Sequence, residues 1–287
     1  MPANDPTSQK NSGRKPAAAK TPTAPLSAQR ERFDLIRRYL ADKKLLFAAP
    51  NDIGRLSERS MHKAMKLYLE PDEAFHEVRC GRSVADIRRG DTIWEIQTGA
   101  LAPLVKKLTA FIATPDVARV NLVCPLVAIK HSVWIDPGTG EMSRPTRSRK
   151  TARPAEILDR LYYILPFIGD DKFRLHVYML EAEECKQLNG YGRDRKHRAQ
   201  RTDIVPLGVV EHLELAQRDD YRVFIPEKLR GGEFTMGEWS AALRQQFGVL
   251  ARGRRLWSGL DFMRRLGLVC QCGKRGHEML WRVIEAT

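Results

Sequence analysis

Two acidic residues and an amide lie close together in the segment SVADIRRGDTIWEIQTG. Asp86 falls on one strand-like run, and Glu95 and Gln97 fall on the next, with a tight turn at RRGD between them. Side chains alternate across a strand, so Glu95 and Gln97 should share one face while Trp94 and Ile96 take the other. A carboxylate beside a core must be paired or bound to a cation. The spacing favours a divalent-metal site, although a salt-bridged hairpin and a polar outer face are the plainer alternatives for each residue taken singly.

The flanking segments predict the elements that would position these residues. A helix is predicted to begin near Ala28, and a second to run from Ser57 to Leu69, with Ser57 as N-cap and Pro71 as the stop. Three strand-like runs then predict a β-meander: FHEVRCG, SVADIRRG and TIWEIQTG. The local order continues with a helix and a strand, so the region as a whole predicts helix, three strands, helix, strand.

The same periodicities predict the later elements of this unit. LAPLVKKLTAFIAT predicts the helix after the meander, and RVNLVCPLVAIKHSVWID predicts a buried strand followed by an edge strand. AEILDRLYYILPFI predicts a further helix, and RLHVYMLEAEE predicts a strand. These elements would complete one α/β unit.

The element order, together with Asp86, Glu95 and Gln97, resembles the PD-(D/E)XK nuclease superfamily over roughly residues 57–135. The resemblance implies an α/β restriction-endonuclease-like core of order α-β-β-β-α-β that hydrolyses phosphodiester bonds with Mg²⁺ or Mn²⁺. It implies that Asp86, Glu95 and the main-chain carbonyl of Ile96 hold the metal. The sequence departs from the family pattern at Gln97, which stands in place of lysine, and at Ala85, which stands in place of proline.

Other residues are candidates for supporting roles in such a site. The family commonly adds a further acid, for which we favour Glu77 over Glu73. Gln97 can neither act as a base nor carry charge, so in this interpretation it orients water or a substrate phosphate. Lys106 and Lys107 could assist, with plain solvent-facing lysines as the alternative. His62 and His76 are the other polar residues that could reach such a site, and for both we favour a surface or hydrogen-bonded histidine.

The charge balance predicts a polyanionic partner. Lys and Arg number 49 against 35 Asp and Glu, which gives a formal net charge of +14. DNA is favoured over an anionic membrane because the basic residues are spread over several segments. No apolar run approaches the roughly 18 residues of a membrane span, and no signal-peptide core is seen, so a cytoplasmic protein is expected. One basic segment, Gly190 to Asp203, is predicted to be a solvated loop that contacts the DNA backbone through Arg193, Arg195, Lys196, Arg198 and Arg201.

The carboxy-terminal part predicts a helix, a second helix and a hairpin. Thr235 and Glu238 have the spacing of a capping box at the start of the first helix. This portion resembles winged-helix DNA-binding domains over roughly residues 224–287. The resemblance implies a second helix in the major groove and a wing on the backbone or minor groove. A protein-docking module is the alternative, and the density of arginine favours DNA. The basic residues available for DNA there are Arg252, Arg254, Arg255, Lys274 and Arg275. Cys270, Cys272 and His277 provide too few ligands for a zinc site.

Three segments result: a disordered basic tail (1–27), a nuclease-like domain with a helical amino-terminal extension (28–222) and a winged-helix domain (223–287). The function expected from the resemblances is a Mg²⁺-dependent DNA endonuclease, with a homodimer as one possible assembly for cutting both strands. The alternative is a catalytically inactive DNA-binding protein, such as a regulator or a replication or recombination factor. An RNA-binding protein is less favoured because the sequence lacks interleaved aromatic and basic residues.

Overall fold

The computed structural model describes residues 25–43, 60–136, 138–148, 152–187, 200–248 and 253–285. The helices are α1 (Leu26–Asp42), α2 (Ser60–Leu69), α3 (Val105–Ile112), α4 (Met236–Phe247) and α5 (Arg254–Arg265). The first seven strands are β1 (His76–Cys80), β2 (Ser83–Arg89), β3 (Thr92–Ile96), β4 (Arg119–Ile135), β5 (Thr146–Arg147), β6 (Phe173–Gln187) and β7 (Gln200–Leu215). The remaining strands are β8 (Glu233–Phe234), β9 (Val269–Arg275) and β10 (Glu278–Val283).

A mixed sheet of order β1-β2-β3-β4-β6-β7 forms the centre of the molecule, with β5 paired to β4. The pairs β1–β2, β2–β3 and β6–β7 are antiparallel, whereas β3–β4 and β4–β6 are parallel. The chain runs through α2, β1, β2, β3, α3 and β4 in that order, as predicted from the sequence. The protein is therefore a mixed α/β protein with the predicted meander at one edge of its sheet.

Apolar side chains leave both faces of this sheet, because the strand alternation sends successive residues to opposite sides. On β6, Leu175, Val177 and Met179 belong to one hydrophobic cluster, while Tyr178 and Leu180 belong to another. Helix α3 packs in the first cluster, and helices α1 and α2 pack in the second. The candidate metal-site residues thus lie in a sheet that is covered by helices on both sides.

Helix α1 begins at Leu26, two residues before the predicted start, and buries Phe33, Ile36 and Leu40 against the sheet. The predicted tail lies outside the described residues up to position 24. Helix α2 begins at Ser60, and the proposed N-cap Ser57 also lies outside the described residues.

Strand β4 is one continuous strand rather than two. Its first part lies between β3 and β6, and the pairing with β3 ends at Val123. Pro125, which has no main-chain N–H to donate, follows two residues later, where β3 no longer runs alongside. The predicted change from a buried to an edge position therefore occurs within a single strand.

The segment that follows β5 corrects a prediction. The sequence predicts one helix over residues 155–168, but the chain forms two short 3-10 helices, Pro154–Ile157 and Leu161–Phe167. Pro166 lies inside the second, and a proline there removes a main-chain donor and crowds the preceding turn. The two turns still bury Ile157, Leu161 and Ile164, so the apolar periodicity is confirmed while the predicted helix type is wrong.

Strand β7 is a second difference from the sequence-based prediction. Residues 200–203 belong to β7, so the predicted loop of 190–203 is too long at its carboxyl end; residues 190–199 lie outside the described residues. Sequence analysis predicts no strand for residues 204–215, yet they pair along β6 with two register shifts. Gly208 and the charged residues at 211 and 214 dilute the strand signal there.

The carboxy-terminal module contains α4, α5 and a small sheet of order β8-β10-β9. The predicted capping box is confirmed: Thr235 Oγ1 accepts the Glu238 N–H, and a Glu238 carboxylate oxygen accepts the Thr235 N–H at 2.7 Å. Trp239 and Phe262 belong to the same hydrophobic cluster as α3 and β6. The apolar interior therefore continues from the central sheet into this module. No helix among the described residues is long and apolar enough to cross a membrane.

Candidate functional site

Strands β2 and β3 separate at the candidate site. Their main chains pair as far as Ile87 and Trp94, and beyond this point β3 follows β4 alone. Asp86 Oδ2 accepts the main-chain N–H of Ile96 at 2.7 Å, in place of a main-chain acceptor on β2. Burial of this N–H makes an acceptor necessary. The side chain of Asp86 is therefore held beside the end of β3, next to Glu95.

Glu95 is the most buried acid of the site, with its side chain 4% exposed. One carboxylate oxygen, Oε1, accepts a hydrogen bond from Lys107 Nζ of α3. The other oxygen, Oε2, is buried and has no hydrogen-bond partner among the described residues. Burial, and then the neighbouring Asp86 carboxylate, raise the pKa of Glu95 from its ordinary value of 4.5 to about 7. The site thus contains a carboxylate that carries a large cost when it is ionised.

His62 of α2 lies between two of the predicted metal-binding atoms. Its Nε2 is 3.1 Å from Asp86 Oδ2 and 3.1 Å from the carbonyl oxygen of Ile96. Both neighbours are acceptors, so Nε2 must carry the proton in this arrangement. His62 is thus a hydrogen-bonded histidine, one of the two roles expected for it, and its partners lie in the candidate site. His76, by contrast, is hydrogen-bonded to the Glu70 carbonyl at 2.8 Å, as expected for a histidine outside the site.

Gln97 braces the loop that follows β3. Its side-chain amide donates to the carbonyl of Ala100 at 2.5 Å, and its main-chain N–H donates to Val123 at 2.8 Å. The carbonyl of Gly99 in the same loop accepts from Arg160 Nη1 at 3.3 Å. The amide of Gln97 is therefore engaged within its own loop, and its orientation is fixed by that contact.

Glu77 does not join the other two acids. In the β1–β2 register it lies between the pairs His76–Ile87 and Val78–Ala85, which places it opposite Asp86. Its φ of 51° is unusual for a residue with a side chain, and its carboxylate binds Lys66 Nζ at 2.5 Å. The side chain is 58% exposed. The structure therefore turns Glu77 towards α2, and the register alone could not reveal that turn.

The oxygen atoms of the site can be compared with the ligands that a divalent cation of the implied kind requires. Among the residues described, no three side chains of His, Cys, Asp or Glu are grouped to hold a metal. Mg²⁺ is commonly bound by only one or two carboxylates, with waters and substrate phosphate completing its ligands. The hard oxygens of Asp86, Glu95 and Ile96, with the unpartnered Glu95 Oε2, fit such an ion. Binding would require His62 to move from its position between Asp86 and Ile96.

Lys107 contacts the site directly, and the sequence could not distinguish it from a plain solvent-facing lysine. It is 25% exposed and forms an ion pair with Glu95, whereas Lys106 is exposed to solvent. Helix periodicity could have shown which of the two lysines points to the site only if the face of α3 that packs towards β3 had been known. Arg160 and His62 are further residues at the site that no spacing in the sequence joins to Asp86.

The structure describes the side chains of four of the residues predicted to contact nucleic acid. Arg254 and Lys274 are exposed, Arg255 is 79% exposed with its Nε 3.4 Å from Asp159, and Arg275 forms an ion pair with Glu238 at 2.9 Å. The others lie in parts of the chain for which side chains are not described: Arg193, Arg195, Lys196, Arg198, Arg201 and Arg252. Of these only Arg201 has a described backbone, within β7.

The fold and the site define a mixed α/β protein with a buried carboxylate pair at a point where two sheet strands separate. Residues 59–216, more than half of the chain, match a family described as "Domain of unknown function (DUF8091)", and the chain belongs to that family. No curated protein and no solved structure matches the chain.

Proposed function

We propose that the protein is a metal-dependent DNA endonuclease of the PD-(D/E)XK type, anchored on duplex DNA by a carboxy-terminal winged helix. The observation that carries this proposal is the pair Asp86 and Glu95, brought together where β2 and β3 diverge, with one buried Glu95 oxygen left without a partner among the described residues. Acids are seldom buried side by side unless a cation or a reaction requires them.

The order and pairing of the strands support the proposal. The nuclease core implied by the resemblance requires helix, three strands, helix and strand, and α2 to β4 follow this order. The acids lie on the second and third of these strands, as the superfamily pattern requires. The small sheet of order β8-β10-β9, with α4 and α5, supports a winged-helix interpretation of the carboxy-terminal module.

Asp86, Glu95 and the carbonyl of Ile96 would hold Mg²⁺ or Mn²⁺. Such an ion would lower the pKa of a bound water and neutralise charge on the phosphate. Lys107 donates a hydrogen bond to the other oxygen of Glu95, so a positive charge lies beside the proposed metal site. Gln97 keeps the loop after β3 in place through Ala100, so its contribution is to shape the site and not to transfer a proton.

A second candidate, a DNA-binding protein that does not cleave, is favoured by one specific observation. The Nε2–H of His62 and the ammonium of Lys107 already satisfy Asp86, Ile96 and one oxygen of Glu95. Protein donors thus stand where a cation would bind. In that case the buried acids would serve to hold the sheet together.

The two candidates are separated by assaying plasmid and branched DNA with wild type, Asp86→Asn and Glu95→Gln in Mg²⁺, Mn²⁺ and EDTA. These variants keep the side-chain size, and Lys106→Ala is the matched surface control. Metal-dependent nicking that disappears in both acid variants and is kept in the control supports the nuclease. DNA binding by all four proteins with no nicking in any condition would establish the second candidate instead.

A further inference from the structure

Residues 158–160 contact both the carboxylate site and helix α5. Arg160 Nη1 donates to the carbonyl of Gly99, in the loop that begins two residues after Glu95. The carboxylate of the adjacent residue, Asp159, lies 3.4 Å from Arg255 Nε at the start of α5. A Cβ at Gly259 of α5 would lie 3.5 Å from Leu158, so the segment packs closely on that helix. One short stretch of chain therefore connects the two proposed DNA-contacting regions.

The guanidinium of Arg160 makes one hydrogen bond to the described part of the chain. Within the described part of the chain it forms no ion pair, and its hydrogen bond to Gly99 is 3.3 Å long. Asp159, the nearest acid in the sequence, faces Arg255. A guanidinium has several donors in a fixed plane that matches the oxygens of a phosphate. Most of the hydrogen-bonding capacity of Arg160 is thus available to a ligand.

Three cations lie at the contacts that connect the carboxylate site with α5. Lys107 lies on Glu95, Arg160 on the loop after Glu95, and Arg255 at the first turn of α5. Helix α3 and the two 3-10 helices on either side of Arg160 pack in the same hydrophobic cluster as α5. A nucleic-acid backbone carries a series of phosphates, so one such ligand could pair with more than one of these cations.

We propose that Arg160 binds a backbone phosphate of a DNA duplex and that the same duplex contacts α5 and the Asp86–Glu95 site. This inference rests on the proposed function for the identity of the ligand, since it takes α5 to be the DNA-binding helix. It goes further because it gives the path of the substrate. The DNA strand to be cut crosses the loop that contains Gly99, on its way from α5 to the Asp86–Glu95 site. The scissile phosphate then lies at a set distance from the base pairs that α5 contacts.

The test uses the salt dependence of duplex binding by the full chain in EDTA, so that no cleavage is needed. Two variants separate charge from bracing: Arg160→Gln keeps a donor for the Gly99 carbonyl without charge, and Arg160→Lys keeps the charge. Arg38→Ala, an exposed arginine on α1 across the sheet, is the matched control. Affinity is measured between about 50 and about 200 mM salt, where the slope of log K against log salt changes by about 0.9 for each phosphate that the protein ceases to neutralise.

The expected result is a slope about 0.9 shallower for Arg160→Gln, with Arg160→Lys and Arg38→Ala close to wild type. A wild-type slope in Arg160→Gln would overturn the inference and leave Arg160 as a brace for the loop. If wild type fails to bind duplex DNA, both this inference and the DNA-directed function are refuted. If wild type binds but never cleaves, the nuclease function fails alone, because the slope still decides whether Arg160 contacts a phosphate.

Discussion

Asp86 Oδ2 lies 2.7 Å from the main-chain nitrogen of Ile96, and this hydrogen bond joins β2 to β3 after their main-chain pairing has ended. A residue proposed for chemistry therefore also completes the sheet. Substitutions at this position must be chosen so that loss of structure and loss of activity can be told apart.

Asp86→Ala should destabilise the protein by about 1–3 kcal/mol, because it leaves the buried Ile96 N–H without an acceptor. Asp86→Asn should retain most of the stability, since its amide oxygen can accept the same hydrogen bond. The free energy of unfolding in urea gives the measurement for both variants. Equal stability of Asp86→Ala and wild type would show that this hydrogen bond contributes nothing to the fold.

Glu95 should make the stability of the protein depend on pH. Its pKa is about 7 in the folded protein and near 4.5 when unfolded, so the folded state holds its proton more tightly. The stabilising contribution is complete below about pH 4.5 and is lost as the pH rises through about 7, a change on the order of 3 kcal/mol. Glu95→Gln should lack this loss. Urea titrations at about pH 5 and about pH 8 measure it, and parallel changes in the two proteins would contradict the prediction.

Metal binding should strengthen as the pH rises from about 6 to about 8. A divalent cation requires the ionised form of Glu95, and a proton competes for it until the pH exceeds the raised pKa of about 7. Calorimetric titration with Mn²⁺ at several pH values tests this, with Glu95→Gln as the variant that should bind weakly throughout. An affinity that does not change over this range would argue against Glu95 as a ligand.

Lys107 should hold the pKa of Glu95 down despite the burial of that carboxyl. Lys107 lowers the pKa both by its charge and by its hydrogen bond, so Lys107→Ala should raise it above about 7. The side-chain carboxyl carbon of Glu95 can be followed by NMR through a pH titration. Lys106→Ala, one residue away and exposed, should leave the pKa unchanged; a similar shift in both variants would rule out a specific role for Lys107.

Helix α1 should detach more readily when its ion pairs are removed. Arg30 binds the buried Glu181 through both carboxylate oxygens at 2.8–3.0 Å, and Arg37 binds Glu183 at 2.9 Å. Because Arg30 is half exposed, Arg30→Ala should cost only about 1 kcal/mol, seen as faster hydrogen exchange in α1. Arg38→Ala should exchange as wild type does. No change in Arg30→Ala would mean that the Arg30–Glu181 ion pair does not contribute to holding the helix.

The parts of the fold that could be predicted are those whose pattern is local. The meander, α3 and the capping box at Thr235 follow from alternation, helical spacing and cap chemistry within a few residues. The 3-10 turns at 154–167 and strand β7 could not be predicted in this way, because Pro166 and the charged positions of β7 work against the simple periodicities.

The site could be predicted only as far as residues that are close in sequence. Asp86 and Glu95 are separated by one turn, and the hairpin formed by β2 and β3 places them close together. His62, Lys107 and Arg160 reach the site from other elements, and their positions depend on how α2, α3 and the 3-10 turns pack on the sheet. The inward turn of Lys107 and the turn of Glu77 towards α2 are set by tertiary contacts that no spacing encodes.

The region shared with the family ends at residue 216, yet the hydrophobic cluster on the α3 side runs on through Trp239 and Phe262 to Val283. On the opposite face, Phe33 and Leu40 of α1 come from before that region. A fragment of residues 59–216 alone would therefore expose apolar surface on both faces of the sheet and should aggregate.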